Sequence, residues 1–493
     1  MDPLFEIKLD LAKKGSRQSG RNLYLQLKAA IEDGRLAQGF KMPVTRDSLR
    51  LFGVSRNTAA EVYERLASEG HVETRRGSGT YVSDARSKRA RKSHPARRVL
   101  DPRLNPFYLR PDITQALDFW RDSASEQAAS ATPHVDFRPA LIDSRLFPFD
   151  VFRQVSVKQL RRLESKPAGF KSPQGNQGNF HLRDAITKHI GVTRAVVCEP
   201  DDVLVTAGAQ QAFDILARSL IRPGETTVAM EDPGYPPMRV AFAAAGAKVV
   251  PVGVDAEGLK VEELPSEARI ICVCPSHQFP LGASMSLRRR QALLAFAREK
   301  RAVIIEDDYD GEFRYDGMPL ESLRSADSDD VVFYIGTFSK CMLPALRLGF
   351  VVAPPWAMRT LIAVKNSLDW HCPTPIQLGV ARFIAEGHLK RHVRKLRELY
   401  QARRGLLLDT LNKDFADSLL PIPSFYGMHV AALTRKSVDL DKLADRLLSH
   451  HVKIHSLNRY FAGTPTQSGL IFGYGAVDLA EIRRGLSVLK QAL

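Results

Sequence analysis

Apolar side chains recur at helical spacing through the first seventy residues of the chain and then switch to strand-like runs. In "NLYLQLKAAIEDGRLAQG" (22–39), Leu23, Leu25, Leu27, Ile31 and Leu36 mark a helix that stops at a glycine. The stretch "TRDSLRLFGVSRNTAAEVYERLASEGHV" (45–72) predicts a helix, a tight turn at Gly53–Val54 and a second helix capped by Ser55. Leu49, Leu51, Val62, Tyr63 and Leu66 are its expected packing face. "VETRRGSGTYV" (72–82) reads as two β-prone runs around a Gly/Ser turn. Three helices and a small hairpin make a winged helix-turn-helix.

Across 84–133 the periodicity disappears. "SDARSKRARKSHPARR" is a dense basic run followed by Pro-, Ala- and Ser-rich sequence, and reads as a flexible tether with some helix around 113–125. From 134 the pattern changes again. "DVLVTAG", "TTVAM", "KVVPV", "RIICVCP", "AVIIEDD" and "VVFYIGT" are short Val/Ile-rich runs, interleaved with helical stretches such as "MSLRRRQALLAFAREKR". Such runs signal a buried, mostly parallel α/β sheet, whose ligands bind in the loops beyond the strand ends. The expected organisation is a DNA-binding winged helix over 1–83, a basic flexible linker over 84–133, and a large α/β domain over 134–493.

Charge sharpens this division. Of a formal net charge of +16, residues 1–98 carry +10, from 21 Lys/Arg against 11 Asp/Glu, leaving +6 for the remainder. A basic N-terminal module points to a polyanion such as nucleic acid. The second helix would lead into the major groove with Ser55, Arg56, Asn57 and Thr58, all able to bond base edges or phosphates. Arg75, Arg76, Gly77 and Gly79 let the wing approach the backbone closely, and Arg46 is a candidate phosphate contact. The basic run in the linker is open to two readings, simple solvation or further phosphate contact. The five cysteines lack the spacing of a metal site, so no metal is expected, and they read as reduced thiols. With no signal peptide and no membrane-length apolar stretch, a cytoplasmic protein is expected.

Four loops of the large domain carry candidate chemistry. "TAGAQQAFDILARSL" places Ala209 and Gln210 at a strand-to-helix turn, where backbone N–H groups bind anions. "EDPGYPP" sets Tyr235 on a stiff loop able to stack on a flat ring, although a surface tyrosine is the plainer reading. "IIEDDYDGEFRY" puts Asp307 and Tyr309 just past a buried strand, where a carboxylate can hold a pyridinium proton and a hydroxyl can bond a phenolate. "YIGTFSKCMLPALRLGF" gathers Thr337, Ser339, Lys340 and Arg347, suited to a Schiff base and a phosphate.

The ordered set resembles the fold-type I, class I/II aminotransferases. By that resemblance Lys340 is the Schiff-base lysine for pyridoxal 5'-phosphate (PLP), Asp307 the ring-nitrogen partner, Tyr309 the partner of the phenolic oxygen and Tyr235 the stacking ring. Ala209, Gln210, Thr337, Ser339 and Arg347 then form the phosphate cup. The first eighty residues, with "MPVTRDSL", "GVSRNTAAEVYERLASEG" and "RRGSGTYV", resemble the GntR family. Together the two halves are similar to the MocR-type regulators. That likeness implies a transcription factor that binds promoter DNA, senses PLP or an amine or amino acid effector, and works as a head-to-tail homodimer. An active aminotransferase fused to a DNA-binding domain, and a large domain serving only as a dimerisation scaffold, are the alternatives.

Three positions depart from the aminotransferase pattern. Phe279 in "HQFPLG" stands where an asparagine bonds the phenolic oxygen, leaving Tyr309, with His277 or Gln278 as helpers. Pro173 stands where a tyrosine reaches the neighbouring subunit's phosphate. Ile471 in "GLIFGYG" stands where an arginine grips a substrate carboxylate, with Arg459 as a nearby substitute. Loss of that clamp weakens substrate positioning, and hence ordinary transamination.

Overall fold

The computed structural model describes residues 18–75, 77–83, 104–117, 119, 135–165, 175–316 and 321–493. The chain divides into two compact units, Met1–Leu104 and Asn105–Leu493.

In the first unit, α1 (Ser19–Glu32), α2 (Ser48–Phe52) and α3 (Arg56–Ser68) are followed by an antiparallel hairpin of β1 (Val72–Arg75) and β2 (Gly79–Val82). This is the expected winged helix. Gly53 closes α2 at φ +65°, a left-handed conformation that a side chain would resist. Ser55 Oγ accepts the Thr58 N–H at 3.2 Å, capping α3, a contact worth about 1 kcal/mol. Two expected core residues face solvent instead: Leu25 is 49% and Leu49 64% exposed. Leu23, Leu27 and Ile31 share one face of α1, and a residue two positions from Leu23 cannot join them.

The second unit begins inside the segment expected to be a flexible tether. Residues Pro111–Leu117 form a helix whose Ile113 and Ala116 bury against Val240 of the helix Pro236–Ala244, and Phe119 is 3% exposed. Some helix was expected near here; its burial against the large domain was not, and it follows from two apolar residues three apart that make a helical stripe. The basic run itself lies outside the described residues, as do 118 and 120–133.

After β3 (Val135–Asp136) come the strands of an eight-stranded sheet. They are β4 (Val203–Thr206), β5 (Thr227–Asp232), β6 (Lys248–Asp255), β7 (Gly258–Leu259), β8 (Ala268–Val273), β9 (Val303–Asp308), β10 (Val332–Thr337) and β11 (Gly349–Val352). Their order is β4-β11-β10-β9-β8-β5-β6-β7, parallel except for β7 and β11. Helices cover both faces, and β4, β10 and β11 are buried along their whole length, which is why they read as near-continuous apolar runs. β10 turns into β11 with Thr337 opposite Gly349, and the Phe338 N–H continues the pairing to Leu348 O at 3.1 Å.

The long helix His388–Asp414 leads to a C-terminal subdomain. There β12 (Leu419–Pro421), β13 (His429–Thr434), β14 (Val452–Lys453), β15 (His455–Ser456) and β16 (Gly469–Gly473) follow in sequence. β12-β13-β16-β15 form a four-stranded sheet, while β14 pairs with β3. Among the described residues no helix is long and apolar enough to cross a membrane.

Candidate functional site

β4, β5, β9 and β10 run in one direction, so their C-terminal ends share one rim of the sheet. β11 runs against them and therefore starts at that rim, with Arg347 just ahead of it. The rim loops and the segment after β3 enclose a cavity of about 500 Å³. Ala209, Gln210, Tyr235, Asp307, Tyr309, Thr337, Ser339, Lys340 and Arg347 all line it.

One end gathers groups able to bind an anion. Gly208, at φ +82°, opens the helix Ala209–Leu220, whose first N–H groups have no intrahelical acceptor. A Cβ on Gly208 would lie 3.1 Å from the Arg347 guanidinium, so glycine lets the arginine lie across the turn. Arg347 Nη2 donates to Ala207 O at 3.0 Å. Thr337 Oγ1 donates to Ser339 Oγ at 3.0 Å and accepts the Ser339 N–H at 3.2 Å. Gln210 Nε2 donates to Pro237 O at 3.2 Å, so its backbone rather than its side chain faces this end.

The other end holds an amine and an acid. Lys340 Nζ donates to Ala140 O at 2.6 Å. Burial lowers its amine to about 8; Asp310 and Asp307 oppose the shift and Arg347 adds to it. Asp307, at the end of β9, is 6% exposed, and its Oδ1 has no hydrogen-bond partner among the described residues. Burial pushes its carboxyl up to about 8, helped by Asp308 and Asp310 and countered by Lys340. Tyr309 Oη lies 2.8 Å from His277 Nδ1. Tyr235 presents its ring edge-on to Phe279, with centroids 5.6 Å apart, and to Phe119 at 6.0 Å.

Two of the three departures from the aminotransferase pattern, Phe279 and Ile471, belong to one apolar cluster, and Phe279 also lines the cavity. Phe279 packs against Tyr309 and Tyr460, and Ile471, fully buried in β16, joins the same cluster. Arg459 is exposed and does not line the cavity, so it does not replace the missing clamp. Gln278 is taken up by its own loop: its Nε2 donates to Pro233 O and Phe279 O, both at 2.8 Å. Pro173 lies outside the described residues.

Sequence reasoning missed Arg138, Ala140, Leu141, Ile142 and Ser144, which close the cavity from the segment after β3. Arg138 is gripped by Asp136, with Nη2–Oδ2 at 2.7 Å, and Ala140 adopts φ +59°. A strained alanine and a backbone acceptor carry no signal in residue type. The polar, proline-containing stretch "VDFRPALIDSR" at the start of the domain was the available hint.

On the first unit, Arg46, Arg56 and Asn57 are exposed. Ser55 and Thr58 bond each other, Oγ to Oγ1 at 2.9 Å, so their first task is to cap α3. Arg75 pairs with Glu73 and lies over the Tyr81 ring, 4.7 Å from its centroid. Gly77 and Gly79 have positive φ, and Arg76 lies outside the described residues. Lys41, which bridges main chain to main chain with Tyr81, adds an unforeseen cation at the wing.

Comparison with known proteins gives both halves a family. The bacterial regulatory proteins of the gntR family match residues 20–82, and aminotransferase class I and II matches residues 147–475. The probable rhizopine catabolism regulatory protein MocR of Rhizobium meliloti is 32% identical over 96% of this chain and 93% of its own. The HTH-type pyridoxine biosynthesis transcriptional regulator PdxR of Corynebacterium glutamicum is 31% identical over 95% and 94%. Among solved structures, the kynurenine aminotransferase of Pyrococcus horikoshii covers 76% of this chain and 94% of its own, with TM-score 0.69 and 26% identity. With a gntR-type winged helix, a class I and II aminotransferase domain and regulators of the same layout aligned over almost its whole length, the chain belongs to the MocR-type subfamily of bacterial transcriptional regulators.

Proposed function

We propose that this protein is a PLP-responsive transcriptional regulator that binds promoter DNA through its winged helix. The carrying observation is the rim cavity, where nine residues from four loops bring a half-buried amine, a buried carboxylate oxygen unpartnered among the described residues and an anion-binding turn into one enclosure. PLP supplies, when bound, an aldehyde able to condense with an amine and a ring able to withdraw electrons. The residues present fit that group. Arg347, Thr337, Ser339 and the backbone at Ala209 and Gln210 would hold the phosphate, and Tyr235 would face the ring. Asp307 would hold the proton on the ring nitrogen, satisfying its free oxygen, and Tyr309 would donate to the phenolic oxygen. Lys340, its pKa drawn down to about 8, would present a far larger neutral fraction near neutral pH than an ordinary lysine, as a nucleophilic amine requires.

The apolar cluster of Phe279 and Ile471 supports sensing over turnover, because neither side chain can clamp a substrate carboxylate. The effector is PLP itself or an amine without a standard α-carboxylate, and the PdxR relative supports a link to vitamin B6 supply. Occupation of the cavity shifts the population of DNA-competent protein by its differential affinity for the two states. Work on DNA implies a cytoplasmic protein, and the family layout a homodimer.

The deciding experiment is an absorbance spectrum of the full-length protein with added PLP, repeated on Lys340→Ala. A visible band that the variant lacks is the expected result. No band in either protein would leave the large domain as a scaffold. Tight, PLP-dependent binding of a common α-amino acid would overturn the effector class.

A further inference from the structure

His277 lies behind Tyr309, and three oxygens converge on its Nδ1. Tyr309 Oη is at 2.8 Å, Asp310 Oδ2 at 3.0 Å and Asp310 Oδ1 at 3.2 Å. All three side chains are buried. A ring nitrogen carries either one proton or one lone pair, so these contacts are not independent. A bare Nδ1 facing an ionised carboxylate at 3.0 Å would set lone pair against lone pair. A protonated Nδ1 satisfies Asp310, and the Tyr309 oxygen then shares that same proton. The hydroxyl hydrogen of Tyr309 is left without an acceptor inside the cluster and turns toward the cavity that Tyr309 lines.

We propose that His277, fixed by Asp310, is a positioning residue that makes Tyr309 a hydrogen-bond donor facing the cavity. The proposal rests on the cofactor reading above. Phe279 brings no polar side-chain atom to the place an asparagine would occupy, so the direction of one tyrosine hydroxyl sets how well a phenolate there is held. Burial pushes the Asp310 carboxyl up, and His277 draws it down. Asp308 at the end of β9 and Glu312 in the loop after it act on the same carboxyl, and His429 approaches His277 from β13 with ring centroids 4.5 Å apart. Burial keeps the His429 imidazole neutral, with Lys340 and His277 adding to the effect. His277, Asp310 and His429 bring their ligand atoms within 4.8 Å of one another, as a metal site would. Yet His277 Nδ1 already serves Tyr309, and His429 Nε2 lies 2.9 Å from Pro280 O, which fits a hydrogen-bonded cluster.

The test is a pH titration of the visible band of the full-length protein with added PLP, over roughly pH 5.5 to 9.5. Losing a donor to the phenolate raises the pH at which the band changes. His277→Phe is expected to move it up by roughly 0.4–1 unit, the size of one hydrogen bond. Tyr309→Phe is expected to move it further, and the double variant no further than Tyr309→Phe alone. His277→Asn, whose amide can occupy the Nδ1 position, should stay near wild type. An unmoved transition in His277→Phe, or an equal shift added on top of Tyr309→Phe, overturns the proposal. If His277→Phe fails to fold by circular dichroism, Asp310→Asn decides instead: an upward shift absent in the Tyr309→Phe background supports it, and no shift overturns it. Wild-type protein without any visible band would overturn the cofactor reading, and this proposal with it.

Discussion

The cavity has two unlike walls. The sheet-rim wall, from Ala209 round to Arg347, keeps amine, hydroxyls and guanidinium at hydrogen-bonding range of one another or of backbone, beside the Asp307 carboxylate. Toward the C-terminal subdomain Phe279 lines the cavity, backed by an apolar cluster in which Phe119, Tyr460 and Ile471 are buried. In the proposed role the first wall would hold a phosphorylated ring, while the second offers little grip on a second ligand's acid group. Holding and turnover would then be separable in this fold, because they would depend on different strands and loops.

The largest effect should come from the rim. Arg347→Ala removes charge-assisted hydrogen bonds to a phosphate, and PLP affinity should fall about 100-fold by spectral titration. A loss below threefold would mean that the anion end is assigned wrongly. Next is the pH dependence of cofactor capture. Because the folded-state amine of Lys340 lies lowered to about 8, its neutral fraction rises about tenfold per pH unit below that value and levels off above it. Stopped-flow capture rates should follow that curve; a rise continuing to pH 10 would show that the amine is not perturbed. Behind the opposite wall, Ile471→Arg should speed spectral conversion by an α-amino acid roughly fivefold if the apolar cluster limits turnover. No change would dissolve the contrast. The smallest effects belong to the first unit. Ser55→Ala should cost about 1 kcal/mol of its stability, read by thermal melting. Arg56→Ala should reduce the salt slope for random-sequence duplex DNA by about one.

The rim wall was legible because its chemistry sits at fixed places in the chain, immediately after apolar runs buried on both sides. That punctuation made Lys340, Asp307 and Arg347 candidates, and the resemblance of the ordered set to the class I/II aminotransferases gave them their roles. The closing segment was not legible, since Ala140 acts through a backbone carbonyl and a left-handed φ. Phe119 was hidden for another reason: its burial depends on Tyr235, His455 and Tyr460, more than a hundred residues away. Leu25 and Leu49 show the converse, apolar residues whose phase on their helices leaves them outside. In the first unit, residue type at the tip of α3 pointed to DNA, while the mutual capping of Ser55 and Thr58 is visible only in three dimensions.

Lys340 and Arg347 stand seven positions apart on a single excursion whose stems, β10 and β11, are paired to each other at Thr337 and Gly349. The spacing between them is thereby fixed like the jaws of a caliper. In the proposed role that caliper gauges length: a vitamer with both an aldehyde and a phosphate spans it, whereas dephosphorylated pyridoxal engages one jaw only. Selectivity among B6 vitamers would then be a property of this one turn, set by its hydrogen-bonded base.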